Sequence, residues 1–111
     1  MNINNNSAST ITIKQLRGFV AIAEVGSFAE ACERLHISQP ALSVSIRKLE
    51  QASGGLLFAR STRSVELTPE GLQFLPIAKR LLGEWAEGFD DLRQLFTLQR
   101  GKLTIAAMPS Y

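Results

Sequence analysis

Ser38-Gln39-Pro40-Ala41-Leu42-Ser43-Val44-Ser45-Ile46-Arg47-Lys48-Leu49 is the stretch whose reading decides the fold. It reads as one short helix with two unlike faces. Ser38 is placed to act as N-cap, its hydroxyl accepting from a free backbone N–H of the first turn. Pro40 falls in that first turn, where an N–H has no intrahelical partner to lose. At about 100° per residue, Leu42, Ile46 and Leu49 share one apolar stripe, which marks the core side. Pro40, Ser43, Val44 and Arg47 point roughly the other way, with Gln39 at the entrance and Lys48 on the flank. This outer face is small and uncharged at its start and cationic further along. Such a surface suits close approach to an anionic groove, with Arg47 and Lys48 left to meet phosphates.

Two helices precede it. Thr12 and Gln15 have capping-box spacing, and Ile11 is placed as a hydrophobic staple. Ile13, Leu16, Phe19, Val20 and Ala23 then recur at helical spacing until Gly26. Ser27 with Glu30 repeats the capping-box spacing, and Phe28, Ala31, Cys32 and Leu35 form a short amphipathic stripe. His36 and Ile37 make the turn into the Ser38 helix. Two short helices joined by such a turn have the helix-turn-helix layout. That spacing alone does not decide for DNA binding, because many small helical domains share it.

Downstream, Gly54-Gly55 stops the third helix near Ala52 or Ser53. The helical wheel puts Ser53 on the buried stripe. Residues 56–59 and 65–67 are short β-like runs flanking a loop over residues 60–64. A hairpin carrying Arg60 and Arg63 beside a helix-turn-helix is a wing, and its arginines suit phosphates or a minor groove. Taken as bare sequence, they also suit an ordinary solvated loop.

Thr68-Pro69-Glu70 is a strong start for another helix: cap, proline, acid. That helix is expected to run to about Leu98, with Gly101 ending it. Leu75, Ala78, Leu82, Trp85, Phe89, Leu92 and Phe96 alternate spacings of three and four, an unbroken heptad seam. Left in water it would be an apolar stripe that soluble monomers rarely tolerate, so it reads as a dimerisation surface. Phe74, Ile77 and Leu81 form a second strip, free to pack on the winged domain. Pro76 should bend the helix or loosen a turn. Residues 102–108, KLTIAAM, read as β-like.

The whole chain has 111 residues, room for one small domain and an appendage, and its net charge is +2. With a pI near 9.0 it is mildly basic, which permits nucleic-acid binding without demanding it. The single cysteine excludes an internal disulfide and fits a reducing cytoplasm. No apolar run is long enough to span a bilayer, so no membrane partner is expected. Residues 1–10 are polar and rich in Asn and Ser, and read as a disordered lead-in. Cys32 reads as a small buried hydrophobe, His36 as a solvated helix cap, and Trp85 as seam packing. No nucleophile with its base, no metal spacing and no phosphate loop occurs. The chain is therefore expected to be no enzyme and to need no cofactor or metal.

One resemblance adds to this reading. Phe28-Ala29-Glu30-Ala31-Cys32, Leu35, Ser38-Gln39-Pro40-Ala41-Leu42-Ser43, Ile46, Leu49-Glu50, Gly54, Leu57-Phe58, Arg60, Arg63 and Leu67-Thr68-Pro69-Glu70-Gly71 resemble the N-terminal domain of LysR-type transcriptional regulators, a bacterial family. The likeness runs from about Ile13 to Gly101. It implies a winged helix-turn-helix, a long linker helix pairing two subunits, and in intact members a larger effector-binding domain. It also implies that Gln39, Ala41, Ser43 and Val44 face the major groove and that Ser38, Arg47 and Lys48 face the backbone. Pro40 belongs to the same DNA-binding face. Arg63 would be the wing's groove residue, with Arg60 and Thr62 near phosphates. Three departures stand out. Ser53 replaces a usual leucine, which would cost stability if the site is buried. Val44 and Leu56 occupy positions that are often polar or basic. KLTIAAMPSY looks like the first strand and loop of an effector domain, cut short.

The expected fold is mainly α, a winged helix-turn-helix followed by a long dimerisation helix. The expected division is a lead-in over 1–10, a DNA-binding domain over 11–68, a linker helix over 69–100 and a stub of an effector-binding domain over 101–111. The expected function is a cytoplasmic transcriptional regulator that binds a pseudo-palindromic site in double-stranded DNA as a homodimer. Any small-molecule effector would act through the missing domain. The alternative is a winged-helix protein-interaction module with a coiled-coil handle.

Overall fold

The computed structural model describes residues 10–60 and 64–106, with backbone alone at residue 60 and over residues 101–106. The lead-in expected over residues 1–10 lies outside that set except for Thr10. Local capping sets the first three helices. Thr12 caps α1 (Ile13–Val25) through a complete capping box with Gln15. Ser27 caps α2 (Phe28–Leu35), its hydroxyl accepting from the Glu30 N–H at 3.1 Å. Ser38 caps α3 (Gln39–Ser53), accepting from the Ala41 N–H at 3.2 Å, with Pro40 in the first turn. Gly54 ends α3 with φ +99°, a left-handed conformation that a side chain would strain.

The three helices pack around Phe19, Ile22, Leu42, Ile46 and Leu49, all fully buried. Gly18 lets α1 and α3 approach, since a Cβ there would lie 2.9 Å from Leu42 Cδ1. Strands β1 (Phe58–Arg60) and β2 (Val65–Leu67) form an antiparallel hairpin pairing Phe58 with Leu67, Ala59 with Glu66 and Arg60 with Val65. Phe58 plugs the core from the wing side, its ring centroid 5.4 Å from that of Phe19.

The long helix α4 (Pro69–Ala106) begins on the same core. Thr68 Oγ1 accepts from the Gly71 N–H at 3.0 Å and donates to the Leu56 carbonyl at 2.9 Å. The Thr68 N–H donates to the Leu57 carbonyl at 3.0 Å. Gly71 is buried here, and a Cβ on it would overlap the Leu57 carbonyl oxygen.

Three expectations are corrected. Ser53 is exposed. It shares the azimuth of the buried stripe, but α3 stops there, and Ser53 overhangs the core beside Leu56 and Glu70 in an open depression. Gly101 does not end α4, and residues 102–106 are helical. A lone strand has no sheet to join, whereas helical backbone bonds are satisfied within the segment. The second strip on α4 divides. Phe74 packs against Phe19 with centroids 5.3 Å apart, while Ile77 and Leu81 are exposed. The helix continues through Pro76. Pro76 and Leu72 are both exposed, so water can serve the Leu72 carbonyl that loses its N–H partner.

Candidate nucleic-acid interface

The turn between α2 and α3 presents α3 to solvent. His36 adopts φ +60° as the exposed C-cap of α2, and the Ile37 N–H donates to the Cys32 carbonyl at 3.2 Å. Ile37 then packs on the core and anchors the entry to α3. Cys32 is itself buried. With Leu42, Ile46 and Leu49 inward, α3 leaves Ser38, Gln39, Pro40, Ala41, Val44, Arg47 and Lys48 exposed and Ser43 half-buried. The expected face is therefore assembled along one helix. Its first two turns carry no charge, and Arg47 and Lys48 follow.

A neighbour not singled out from sequence joins it. The first turn of α1 lies beside α3, forming an open groove of about 240 Å³. Ile37, Ala41 and Val44 line it, with Ser45, and Lys14 and Lys48 line it too. Nothing in the helical periodicity says that Lys14 and Lys48 border one groove, because that depends on how α1 crosses α3.

The wing is tied to α3 by Glu50. This carboxylate is buried, and its Oε2 accepts from the Leu57 N–H at 2.9 Å and the Phe58 N–H at 3.2 Å. A carboxylate on the core side of the presented helix thus fixes the base of β1. Charged acceptors make such bonds strong, and they serve backbone donors that would otherwise be buried unpaired. Thr62 and Arg63 lie outside the described residues, as does the Arg60 side chain. The backbone of Arg60 closes the described part of β1.

The heptad seam on α4 is divided. Ala78 is fully buried, and Leu75 and Leu82 are half-buried against the core. Trp85, Phe89, Leu92 and Phe96 are exposed. Trp85 and Phe89 contact each other with centroids 5.2 Å apart. The base of α4 is pinned at Glu24, which accepts from Arg34 at 2.6 Å and pairs with Lys79 at 3.2 Å. Hydrogen bonds from Arg34 and then Lys79 hold the Glu24 carboxyl below its ordinary value.

Among the described residues, no cluster of His, Cys, Asp or Glu could hold a metal, and no helix is long and apolar enough to cross a membrane.

Comparison with known proteins agrees with this architecture. The profile described as "Bacterial regulatory helix-turn-helix protein, lysR family" matches residues 13–72. The HTH-type transcriptional regulator TfdS of Cupriavidus pinatubonensis is 47% identical over 92 residues, covering 83% of this chain and 31% of TfdS. The chain thus spans about a third of the length of that relative. The BenM_DBD/catB site 1 DNA complex superposes with a TM-score of 0.72 at 37% identity, covering 76% of this chain and 94% of that one. The CbnR_DBD-DNA complex gives a TM-score of 0.72 at 39% identity, with 76% and 97% covered. The family match over residues 13–72, the sequence identity and the superposition agree, and the chain belongs to the lysR family of bacterial regulatory helix-turn-helix proteins.

Proposed function

We propose that this chain is the DNA-binding and pairing part of a LysR-type transcriptional regulator acting in the bacterial cytoplasm. The observation that carries the reading is the exposed face of α3, uncharged over its first turns and cationic at Arg47 and Lys48. Such a face lets backbone and small side chains reach base edges while the cations take phosphates. The BenM and CbnR domains that superpose on it are in complex with DNA. In this reading Gln39, Ala41, Ser43 and Val44 meet bases, and Ser38, Arg47 and Lys48 meet the backbone. Arg63 enters a minor groove, with Arg60 and Thr62 near its phosphates.

Pairing follows from α4. Along α4, Ile77, Leu81, Trp85, Phe89, Leu92 and Phe96 lie on one side of the helix and are all exposed. A second copy of the same helix, running antiparallel, covers this stripe most economically. The resulting two-fold dimer reads a pseudo-palindromic site whose half-site spacing the protein sets. An effector would act on a further domain after α4.

The test is selection of sites from a random DNA pool, followed by titration at several salt concentrations. We expect a two-fold-related consensus and affinity that falls steeply with salt. Absence of any salt-dependent binding to duplex DNA would instead favour a protein-docking module.

A further inference from the structure

Val44 occupies the middle of the presented face. At about 100° per residue it lies almost opposite the Leu42–Ile46–Leu49 stripe, on the exposed side of α3. Val44 is 41% exposed, an apolar side chain left open on the face that α3 presents. Ala41 stands one turn before it, also exposed, and Ile37 continues the apolar floor of the groove beside them. Lys14 and Lys48 line the same groove.

This arrangement constrains what can sit there. Valine has no donor or acceptor, so pressing it against a polar base edge strips water from that edge and returns nothing. The major groove offers one apolar group among the four bases, the 5-methyl of thymine. Lys14 and Lys48 supply the charge that holds an anionic duplex against an apolar spot. We infer that Val44, with Ala41 beside it, makes thymine the required base at one position of each half-site. This rests on the DNA-binding reading above and assigns it a base.

The experiment uses the site selected from the random pool. Each thymine in turn is replaced by deoxyuridine, which removes only the methyl, and the dissociation constant is measured for the chain and for Val44→Ser. One thymine per half-site should matter, with about fourfold weaker binding per methyl lost. For Val44→Ser the thymine-to-uracil ratio at that position should fall to about one. A selected site that is bound tightly but is indifferent to every uracil replacement would overturn the inference and leave DNA binding standing. So would a Val44→Ser chain that keeps the full methyl dependence. Failure to select any site would remove both readings.

Discussion

Phe74 and Phe96 sit on roughly the same side of α4, about six turns apart, yet their surroundings have nothing in common. Phe74 stacks on Phe19 at 5.3 Å between centroids, and Phe96 is 56% exposed. The first turns of α4 are part of a domain core, with Ala78 fully buried. The later turns carry the same kind of apolar periodicity into water. Periodicity states that a stripe must be covered, and it is silent on whether the same chain or another copy covers it.

The contrast is sharpest in a pair of substitutions that place the same charge on the two halves. Ala78→Asp puts an unpaired carboxylate into a closed site and should cost about 4 kcal/mol or more, unfolding the domain in thermal melts. Phe89→Asp should leave the helical circular dichroism of the winged domain in place and give a monomer in sedimentation. Specific DNA affinity should then drop by roughly a hundredfold, although no DNA-facing residue has changed. A Phe89→Asp chain that still sediments as a dimer would remove the distinction between the halves. Leu82 is a poor choice for this purpose, because it is half-buried against the core and its loss mixes both effects.

Glu50→Ala probes the domain half next. Two backbone N–H groups lose their acceptor, so chemical denaturation should register about 2–4 kcal/mol of lost stability, with Glu50→Gln losing less. Equal losses for the two variants would mean that charge rather than acceptor geometry is what the site uses. Ser53→Leu should move stability by no more than about 0.5 kcal/mol, since an exposed helix end buries little of the added side chain. A gain well above that would place Ser53 in the core after all.

The smallest effect is expected at Glu24, which pins the base of α4. Its carboxyl is held below the ordinary 4.5, so the contribution to stability is present above that value and fades as pH falls through the lower folded value. Both partners are largely exposed, so the contribution is small. Melting temperatures of the chain and of Glu24→Gln should differ slightly near pH 7 and converge near pH 3. A gap that persists in acid would assign the effect to packing.

The helices were legible because their determinants are local. Thr12, Ser27 and Ser38 announce themselves by hydroxyls one turn ahead of the N–H groups they accept from. The presented face of α3 followed from the same wheel that placed Leu42, Ile46 and Leu49 inward. The failures share the opposite property. Ser53 has the right azimuth and the wrong surroundings, and only the end of the neighbouring core decides that. Glu50 reads as one more acidic residue on a helix, because its partners are backbone donors on a distant strand. Lys14 matters through a helix crossing. The β-like pattern of residues 102–106 was outweighed by continuity with a helix already formed.

The junction at Thr68 and Gly71 has a mechanical consequence. Helix α4 spans about 57 Å at the usual rise per residue. It is clamped at one end by three hydrogen bonds and by a glycine pressed against the Leu57 carbonyl. On a lever of that length, one degree of play at the fulcrum displaces the tip by about 1 Å. For two copies joined along their levers, the fulcrum then sets the tolerance with which two reading heads are held apart. A methyl group at Gly71 would act as a shim, re-aiming a surface tens of ångströms from the atom that was added.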